Sequence, residues 1–194
     1  MRRRGNVDDH TEPTAYLLVD GENIDATLGT SILSRRPESH ERPRWDRLLH
    51  FTRERWGGSP RGLFFLNASS GMPMSFVQAL KAIGYLPVPL SGPPEEKIVD
   101  IAIQRTLQAM VDRDGDVMLV SHDGDFLEDI EPLLGTERRV GVIAFAEFRN
   151  GGFTQLMEQG LEFYDLEYDV RAFTSPLPRI RVIPIEEFDP TPFL

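Results

Sequence analysis

The sequence contains no cysteine. Disulfide bonds, thiolate nucleophiles and sulfur-ligated zinc or iron sites are therefore excluded. Any metal ion would have to be held by aspartate, glutamate, asparagine or the four histidines of the chain. Because most of these ligands are hard oxygen donors, we expect any bound metal to be a hard divalent cation.

Long apolar runs are absent as well. No stretch approaches the roughly 20 apolar residues that a membrane-spanning helix needs, and the N-terminal MRRRGNVDDH has no apolar core behind its arginines. We therefore expect a cytoplasmic protein without a membrane segment. The sequence also lacks the GxxxxGKS/T and GxGxxG patterns of phosphate-binding loops, so it gives no support to a nucleotide-cradling function.

Positive charge is scarce. Lysine and arginine total 21 against 31 aspartates and glutamates, which gives a formal net charge of -10. Binding nucleic acid by broad neutralisation of its phosphates needs a basic face. The overall charge therefore argues against that mode of binding.

One arginine-rich region reverses this balance, and it also holds Trp45 and Trp56. A basic strip with aromatic residues can bind single-stranded nucleic acid. In that interpretation Arg42, Arg44 and Arg47 contact the substrate. The alternative is a solvated arginine-rich helix and loop whose tryptophans lie in the core.

The length of 194 residues and the 40% hydrophobic content suit one domain with one sizeable core. Residues 1–13 are polar and without periodicity, which predicts a flexible N-terminal tail. Residues 175–194 form a proline-rich C-terminal extension that cannot become a helix. We expect the domain to span residues 14–174, and residues 180–185 to pack onto the domain, a protein partner or a second copy in a homodimer.

Short apolar runs alternate with amphipathic stretches, which indicates parallel strands connected by helices. The predicted strands are residues 15–19, 62–66, 85–90, 116–120 and 140–145. The predicted helices lie near residues 44–54, 74–83, 97–111, 125–134 and 153–160. In the helix over 97–111, the 3–4 spacing places Ile98, Ile101, Ala102, Arg105 and Ala109 on one face. Val99, Ile103 and Leu107 widen this stripe, which predicts a largely buried helix.

Acidic residues fall where two of these strands end. Asp20 ends the first strand, and Asp123 and Asp125 follow the fourth. Ligands of open parallel sheets bind beyond the carboxyl ends of the strands, where the strand order reverses. If the first and fourth strands are neighbours, these carboxylates converge. Asp100, in the first turn of a helix, approaches the same crevice with Lys97 three residues earlier.

Converging carboxylates repel one another unless a cation is present. A hard divalent ion takes oxygen ligands at about 2.1 Å, and it can activate water and stabilise charge on a phosphate. The sequence thus predicts a metal site at Asp20, Asp100, Asp123 and Asp125. Taken singly, each acid also has an ordinary explanation as a turn residue, a helix cap or a partner of a helix dipole.

Three blocks in this order resemble the signature of the NYN domain, a branch of the PIN-like nucleases. The blocks are LLVDGENI, EEKIVDIAIQRTL and DVMLVSHDGDFLEDIEPLL, and the resemblance covers roughly residues 14–167. It implies an α/β fold of the PIN-like kind, a Rossmann-like three-layer sandwich with a mainly parallel sheet of order 3-2-1-4-5. It also implies metal-dependent cleavage of RNA with Mg²⁺ or Mn²⁺.

The resemblance assigns roles motif by motif. Asp20 and Asn23 match the first motif, and Lys97 and Asp100 match the second. The third motif is matched by Ser121, Asp123 and Asp125. The four aspartates would hold the metal and, with Asn23, form the catalytic group, while Lys97 and Ser121 would contact the substrate. Many family members carry a further acid where this chain has Leu161, beside Glu162.

Three functions remain open at this stage. The leading hypothesis is a ribonuclease, most simply an endoribonuclease, in which Asn23 orients a water or phosphate and Lys97 neutralises the substrate phosphate. The second is a catalytically weak RNA-binding or protein-docking module on the same fold. The third is a phosphatase on a similar sheet, although the DxD arrangement of that chemistry is absent after the first strand, where the sequence is DGE.

Overall fold

The structure is a computed structural model that describes residues 15–179 and 183–194. The predicted N-terminal tail, residues 1–13, lies outside the described residues. The same is true of residues 180–182 in the predicted C-terminal extension.

A parallel sheet of six strands lies at the centre of the fold. Its strands are β1 (Ala15–Asp20), β2 (Pro60–Asn67), β3 (Tyr85–Leu90), β4 (Asp116–Val120), β5 (Val140–Ala144) and β6 (Glu162–Asp165). The order is β3-β2-β1-β4-β5-β6, and every adjacent pair is parallel. The predicted α/β fold and the order of the first five strands are confirmed, and β1 and β4 are neighbours. Strand β6 was not predicted, because four residues of mixed polarity carry no clear periodicity.

Helices cover both faces of this sheet. They are α1 (Gly21–Thr27), α2 (Trp45–Trp56), α3 (Met74–Ala82), α4 (Ile98–Met110), α5 (Leu127–Ile130) and α6 (Gly151–Glu158). A π-helical turn, Leu28–Leu33, continues α1. The predicted helix over 125–134 is instead a series of short turns, Gly124–Phe126, α5 and Glu131–Leu133. Pro132 lies in the last turn, where it has no N–H to continue an α-helix.

Two cores result, one on each face of the sheet. Helices α1 to α3 pack over Leu17, Val19 and Phe64, and helices α4 to α6 pack over Leu18 and Leu119. Both faces of the central strands are therefore buried, as is typical of parallel sheets. No helix within the described residues has the length and apolar character that crossing a membrane requires.

The buried face of α4 differs from the predicted one. Val99, Ile103 and Leu107 are buried in the core, whereas Arg105 and Ala109 are exposed. The residues that were predicted to widen the stripe are therefore the ones at its centre, and the C-terminal part of the first stripe was wrongly predicted to be buried. The larger apolar side chains of the second stripe bury more area, and burial of apolar area decides which face meets the sheet.

The beginning of the C-terminal extension packs onto the domain. Leu177 is buried in the core beneath α1 to α3. The Arg179 side chain is only 5% exposed and forms ion pairs with Glu147 at 3.1 Å and Glu167 at 2.7 Å. Its guanidinium also lies over the ring of Phe145, 5.0 Å from the centroid. These contacts attach the extension beside the ends of β5 and β6.

Candidate metal centre

Asp20 lies at the carboxyl end of β1, beside the point between β1 and β4 where the strand order reverses. Its side chain is buried, and the residue is 1% exposed. One oxygen accepts the Asn23 N–H at 3.1 Å, so Asp20 caps α1, and the other accepts the Ser121 hydroxyl at 3.0 Å. Burial raises the pKa of Asp20 to about 6, although both hydrogen bonds lower it.

Three other predicted acids form a cluster, here called the aspartate triad (Asp100, Asp123 and Asp125). One carboxylate oxygen from each residue lies within 4.8 Å of the other two. Asp100 comes from the first turn of α4, and Asp123 caps the turn after β4 by accepting the Asp125 N–H at 2.9 Å. Burial raises the pKa of Asp100, and the charges of Asp123 and Asp125 add to the effect.

The Lys97 ammonium lies against all three members of the aspartate triad. Its Nζ is 2.8 Å from Asp125, 3.4 Å from Asp100 and 3.7 Å from Asp123. The hydrogen bond to Asp125 contributes most to raising the pKa of Lys97. A positive group thus already stands among three oxygen donors, and the donor set and charge fit a hard divalent cation.

Ser121 connects Asp20 to the aspartate triad. Its hydroxyl donates to Asp20 and accepts the Asp123 N–H at 3.2 Å. The charge of Asp100 adds to the burial that raises the pKa of Asp20. The structure thus brings the predicted acids to one edge of the sheet. Asp20 itself is not a member of the closely spaced triad.

His122 holds Asn23 in place, a contact that the sequence analysis missed. The Asn23 Oδ1 accepts the His122 backbone N–H at 2.8 Å and lies 3.0 Å from His122 Nδ1. Nε2 accepts the Phe145 N–H at 2.9 Å, so we assign the ring proton to Nδ1, which donates to Asn23. The amide oxygen of Asn23 is therefore already used, and only its NH₂ group can contact a ligand. The one signal for this contact in the sequence was that His122 is a polar residue between the motif residues Ser121 and Asp123.

Acidification should destabilise the wild type more than His122→Gln. Burial lowers the pKa of His122 to about 4 from 6.5, so between these values the folded state binds fewer protons than the unfolded chain. The contribution of neutral His122 is complete above pH 6.5 and is lost as the pH falls towards 4, by about 3 kcal/mol in total.

Urea unfolding of both proteins in chelator, at about pH 7 and about pH 4, measures this loss. Asp20 is present in both proteins, so its own titration cancels in the comparison. A difference between the two unfolding free energies that does not change with pH would contradict the assignment of a neutral buried histidine.

The arginines of the predicted strip are engaged elsewhere. Arg42 Nε contacts Asp25 Oδ2 at 2.6 Å, and Arg44 forms an exposed pair with Asp46 at 3.1 Å. Trp45 is buried in the core. The interpretation of that tryptophan as an exposed stacking surface was wrong. Within the described residues, Arg42, Arg44 and Arg47 form no hydrogen bond or ion pair with the predicted acids.

Arg47→Met should lower the unfolding free energy by about 1–2 kcal/mol. The Arg47 guanidinium donates to the carbonyls of Arg171 at 2.6 Å and Phe173 at 2.9 Å, which ties α2 to the segment after β6. Arg44→Met is the matched control, because its exposed pair with Asp46 is worth little. Urea unfolding compares the two variants. Equal stabilities would contradict the bracing role of Arg47.

Glu162 follows Leu161, the position of the additional family acid, and it pairs with an arginine outside the aspartate triad. It begins β6 and forms two contacts of 2.7 Å with the Arg139 guanidinium, at the opposite end of the strand from the aspartate triad. Asp165, at the carboxyl end of β6, accepts the N–H groups of Ala146, Glu167 and Tyr168. The carboxylates of Glu162 and Asp165 therefore make structural contacts within the fold.

Comparisons with known proteins agree with this architecture. A crystal structure of VPA0982, a protein of unknown function from Vibrio parahaemolyticus RIMD 2210633, is similar in fold. The TM-score is 0.61 at 17% identity, over 83% of this chain and 96% of that one. No curated protein matches the chain significantly. The model of the NYN domain family matches residues 14–167. The chain therefore belongs to the NYN domain family, a branch of the PIN-like nuclease superfamily.

Proposed function

We propose that the protein is a metal-dependent ribonuclease that hydrolyses RNA phosphodiester bonds at the aspartate triad. The observation that supports this most is the gathering of three carboxylates around an ammonium group at the carboxyl edge of a NYN-domain sheet. Ligand sites of open parallel sheets occur at this edge. Clustered carboxylates are ligands for a divalent cation, and a bound cation attracts the phosphate group of a substrate.

The aspartate triad would hold Mg²⁺ or Mn²⁺, and Asp20 would contribute a direct or water-mediated contact. Such an ion, when bound, supplies an activated water and stabilises charge on the phosphate. The Ser121 hydroxyl donates a hydrogen bond to the Asp20 carboxylate, and the Asp123 carboxylate accepts one from the Asp125 N–H. The protein's part is thus to keep several acids oriented at short distance before the substrate arrives.

Lys97 and Asn23 would act on the substrate. The Lys97 side chain is 65% exposed, so it can leave the aspartate triad when a cation replaces it and can then pair with a phosphate oxygen. The Asn23 NH₂ group can donate to a phosphate or a water, because its oxygen is taken by His122. The overall negative charge of the chain then matters less, since the cation and Lys97 neutralise the phosphate locally.

An endonuclease fits the open site better than an exonuclease. The Asp125 side chain is 57% exposed, and so is much of Lys97. A continuous strand can lie across such a site without presenting an end. We therefore propose cleavage within RNA chains.

A second candidate is an RNA-binding module with little catalysis. Two observations favour it. Lys97 occupies the aspartate triad, and the additional family acid is replaced by Leu161 beside a Glu162 that pairs with Arg139. Such a protein would bind RNA with or without divalent metal.

A metal titration with labelled RNA tests the proposal. Single-stranded, structured and circular RNAs are incubated with Mg²⁺ or Mn²⁺, with chelator as the control. We expect metal-dependent cleavage that includes the circular RNA, which has no ends. Cleavage that persists in chelator would exclude the metal mechanism. Binding without cleavage at every metal concentration would establish the second candidate instead.

A further inference from the structure

A separate cleft opens beside the candidate metal centre. It has a volume of about 670 Å³ and lies between the beginning of α1, the end of β2 and the beginning of α3. This volume is within the range of about 300–1,000 Å³ that is typical of small-molecule sites. The cleft begins at Gly21, the residue that follows Asp20 in the chain. It therefore adjoins the position of Asp20 on the α1 to α3 face of the sheet.

The inner wall of the cleft is aromatic. Phe64 packs edge to face against Trp45 at 5.0 Å and against Phe76 at 5.4 Å, and all three line the cleft. Phe76 is only partly buried, so part of its ring faces the open volume. A Cβ at Gly21 would lie 2.6 Å from the Phe64 ring. Glycine at this position thus lets the aromatic wall reach the end of β1.

The rim of the cleft is polar and carries an unsatisfied acceptor. Asp25 and Arg42 line it, and Arg42 Nε donates to Asp25 Oδ2 at 2.6 Å. The other oxygen, Asp25 Oδ1, is buried and has no hydrogen-bond partner among the described residues. A buried carboxylate oxygen without a donor is costly. The Asp25 side chain as a whole is 31% exposed, so a rotation of the carboxylate would let this oxygen accept an N–H group from a ligand in the cleft.

We propose that this cleft binds a nucleobase of the RNA substrate, next to the phosphate held at the metal centre. The exposed part of the Phe76 ring, backed by buried Phe64, supplies a stacking surface, the Asp25 carboxylate accepts an N–H from the edge of the base, and Arg42 adds positive charge at the rim. Stacking on aromatic side chains and hydrogen bonding at the base edges are the usual means of recognising unpaired bases. The identity of the ligand as part of an RNA substrate rests on the proposed function.

Isothermal titration calorimetry in the presence of chelator measures the affinity of the cleft for GMP without any contribution from metal. GMP is the probe because guanine carries adjacent N–H donors on one edge. Ribose 5-phosphate, which lacks the base, is the matched probe. We expect GMP to bind at least about fivefold more tightly than ribose 5-phosphate, since stacking contributes about 1–3 kcal/mol per base. Equal affinities for the two probes would overturn the proposal.

Two variants locate the binding. Ser75→Trp places a bulky side chain at an exposed position that lines the cleft, and Gln78→Trp places it one turn later on α3, outside the lining. We expect Ser75→Trp to lose at least about tenfold in GMP affinity and Gln78→Trp to keep the wild-type value. Asp25→Asn should also lose about tenfold, because it removes the charged acceptor. Wild-type affinity in Ser75→Trp would overturn the assignment.

The same variants separate this inference from the proposed function. If the wild type cleaves RNA, Ser75→Trp should raise KM and leave the cleavage rate at saturation near the wild-type value. RNA cleavage without GMP binding at the cleft overturns the nucleobase site alone. GMP binding that Ser75→Trp abolishes, in a protein that cleaves no RNA, upholds the cleft and overturns the nuclease.

Discussion

Asp20→Asn is expected to reduce metal-dependent RNA cleavage by about 100-fold or more. The substitution keeps the shape of the side chain and one acceptor for the Asn23 N–H, but it removes the negative charge. Even acids that act on a metal through another group typically contribute 10- to 100-fold in affinity or activity, so about 100-fold is the expected scale. The measurement is single-turnover cleavage of a labelled RNA at saturating metal.

The stability of Asp20→Asn should be equal to that of the wild type or higher near neutral pH. Burial raises the pKa of Asp20 to about 6 from 3.8, so the folded state binds more protons than the unfolded chain between these values. The wild type is therefore destabilised as the pH rises from about 4 to about 6, by about 3 kcal/mol in total. Asparagine carries no charge and avoids this cost, although it strains one of the two hydrogen bonds.

Urea unfolding of both proteins in chelator, at about pH 4 and about pH 7, gives the comparison. Asp112→Asn is the matched control, because Asp112 is an exposed acid just beyond the far end of α4. An Asp20→Asn variant that cleaves as fast as the wild type would exclude the metal role. Lost stability with retained cleavage would identify Asp20 as a turn residue only.

Asp123→Asn is expected to abolish the stabilisation that divalent metal gives to the wild type. A ligand at 100 times its dissociation constant stabilises a folded protein by about 2.7 kcal/mol. The wild type should gain about this much from Mn²⁺, because the aspartate triad exists only in the folded state. Removing one of its charges weakens the attraction for the cation and should leave a gain near zero. Thermal unfolding with and without Mn²⁺ measures the effect.

Two further variants make this result specific. Asp112→Asn should keep the full gain from Mn²⁺. Lys97→Met should lose stability in chelator, since the aspartate triad then has no counter-charge, and should bind Mn²⁺ more tightly because no ammonium competes for the site. A wild type whose stability does not respond to Mn²⁺, or an Asp123→Asn variant that responds fully, would contradict a metal site at the triad.

The central strands could be predicted from the sequence because parallel strands that are buried on both faces are short, continuous runs of apolar residues. Strand β5 is buried along its whole length, and β4 along nearly all of it. Strand β6 had no such signal, since it is short and polar at both ends. The buried stripe of α4 was predicted too wide, because apolar residues at three-to-four spacing lie on two adjoining sides of the helix. Only the position of the sheet decides which stripe is buried.

The arginines show more clearly that the sequence does not predict tertiary contacts. Arg42, Arg44 and Arg47 look alike in the sequence, yet one pairs with Asp25 in a cleft, one with an exposed neighbour and one with backbone carbonyls far along the chain. Sequence position says nothing about which acceptors a long side chain will meet. The contact of His122 with Asn23 and Phe145 is non-local for the same reason.

The patterns in the sequence by themselves determined the first five strands, the acids and the edge of the sheet at which those acids end, whereas the strand order came from the resemblance to the NYN domain. The strands and the position of the acids follow from local patterns, because the carboxyl ends of parallel strands necessarily share one edge. Tertiary structure alone decided that Asp100, Asp123 and Asp125 form a triad around Lys97 while Asp20 is buried beside Ser121. It also created the aromatic cleft at Gly21, whose walls come from segments far apart in the chain. Distances between such segments depend on packing, which no local pattern records.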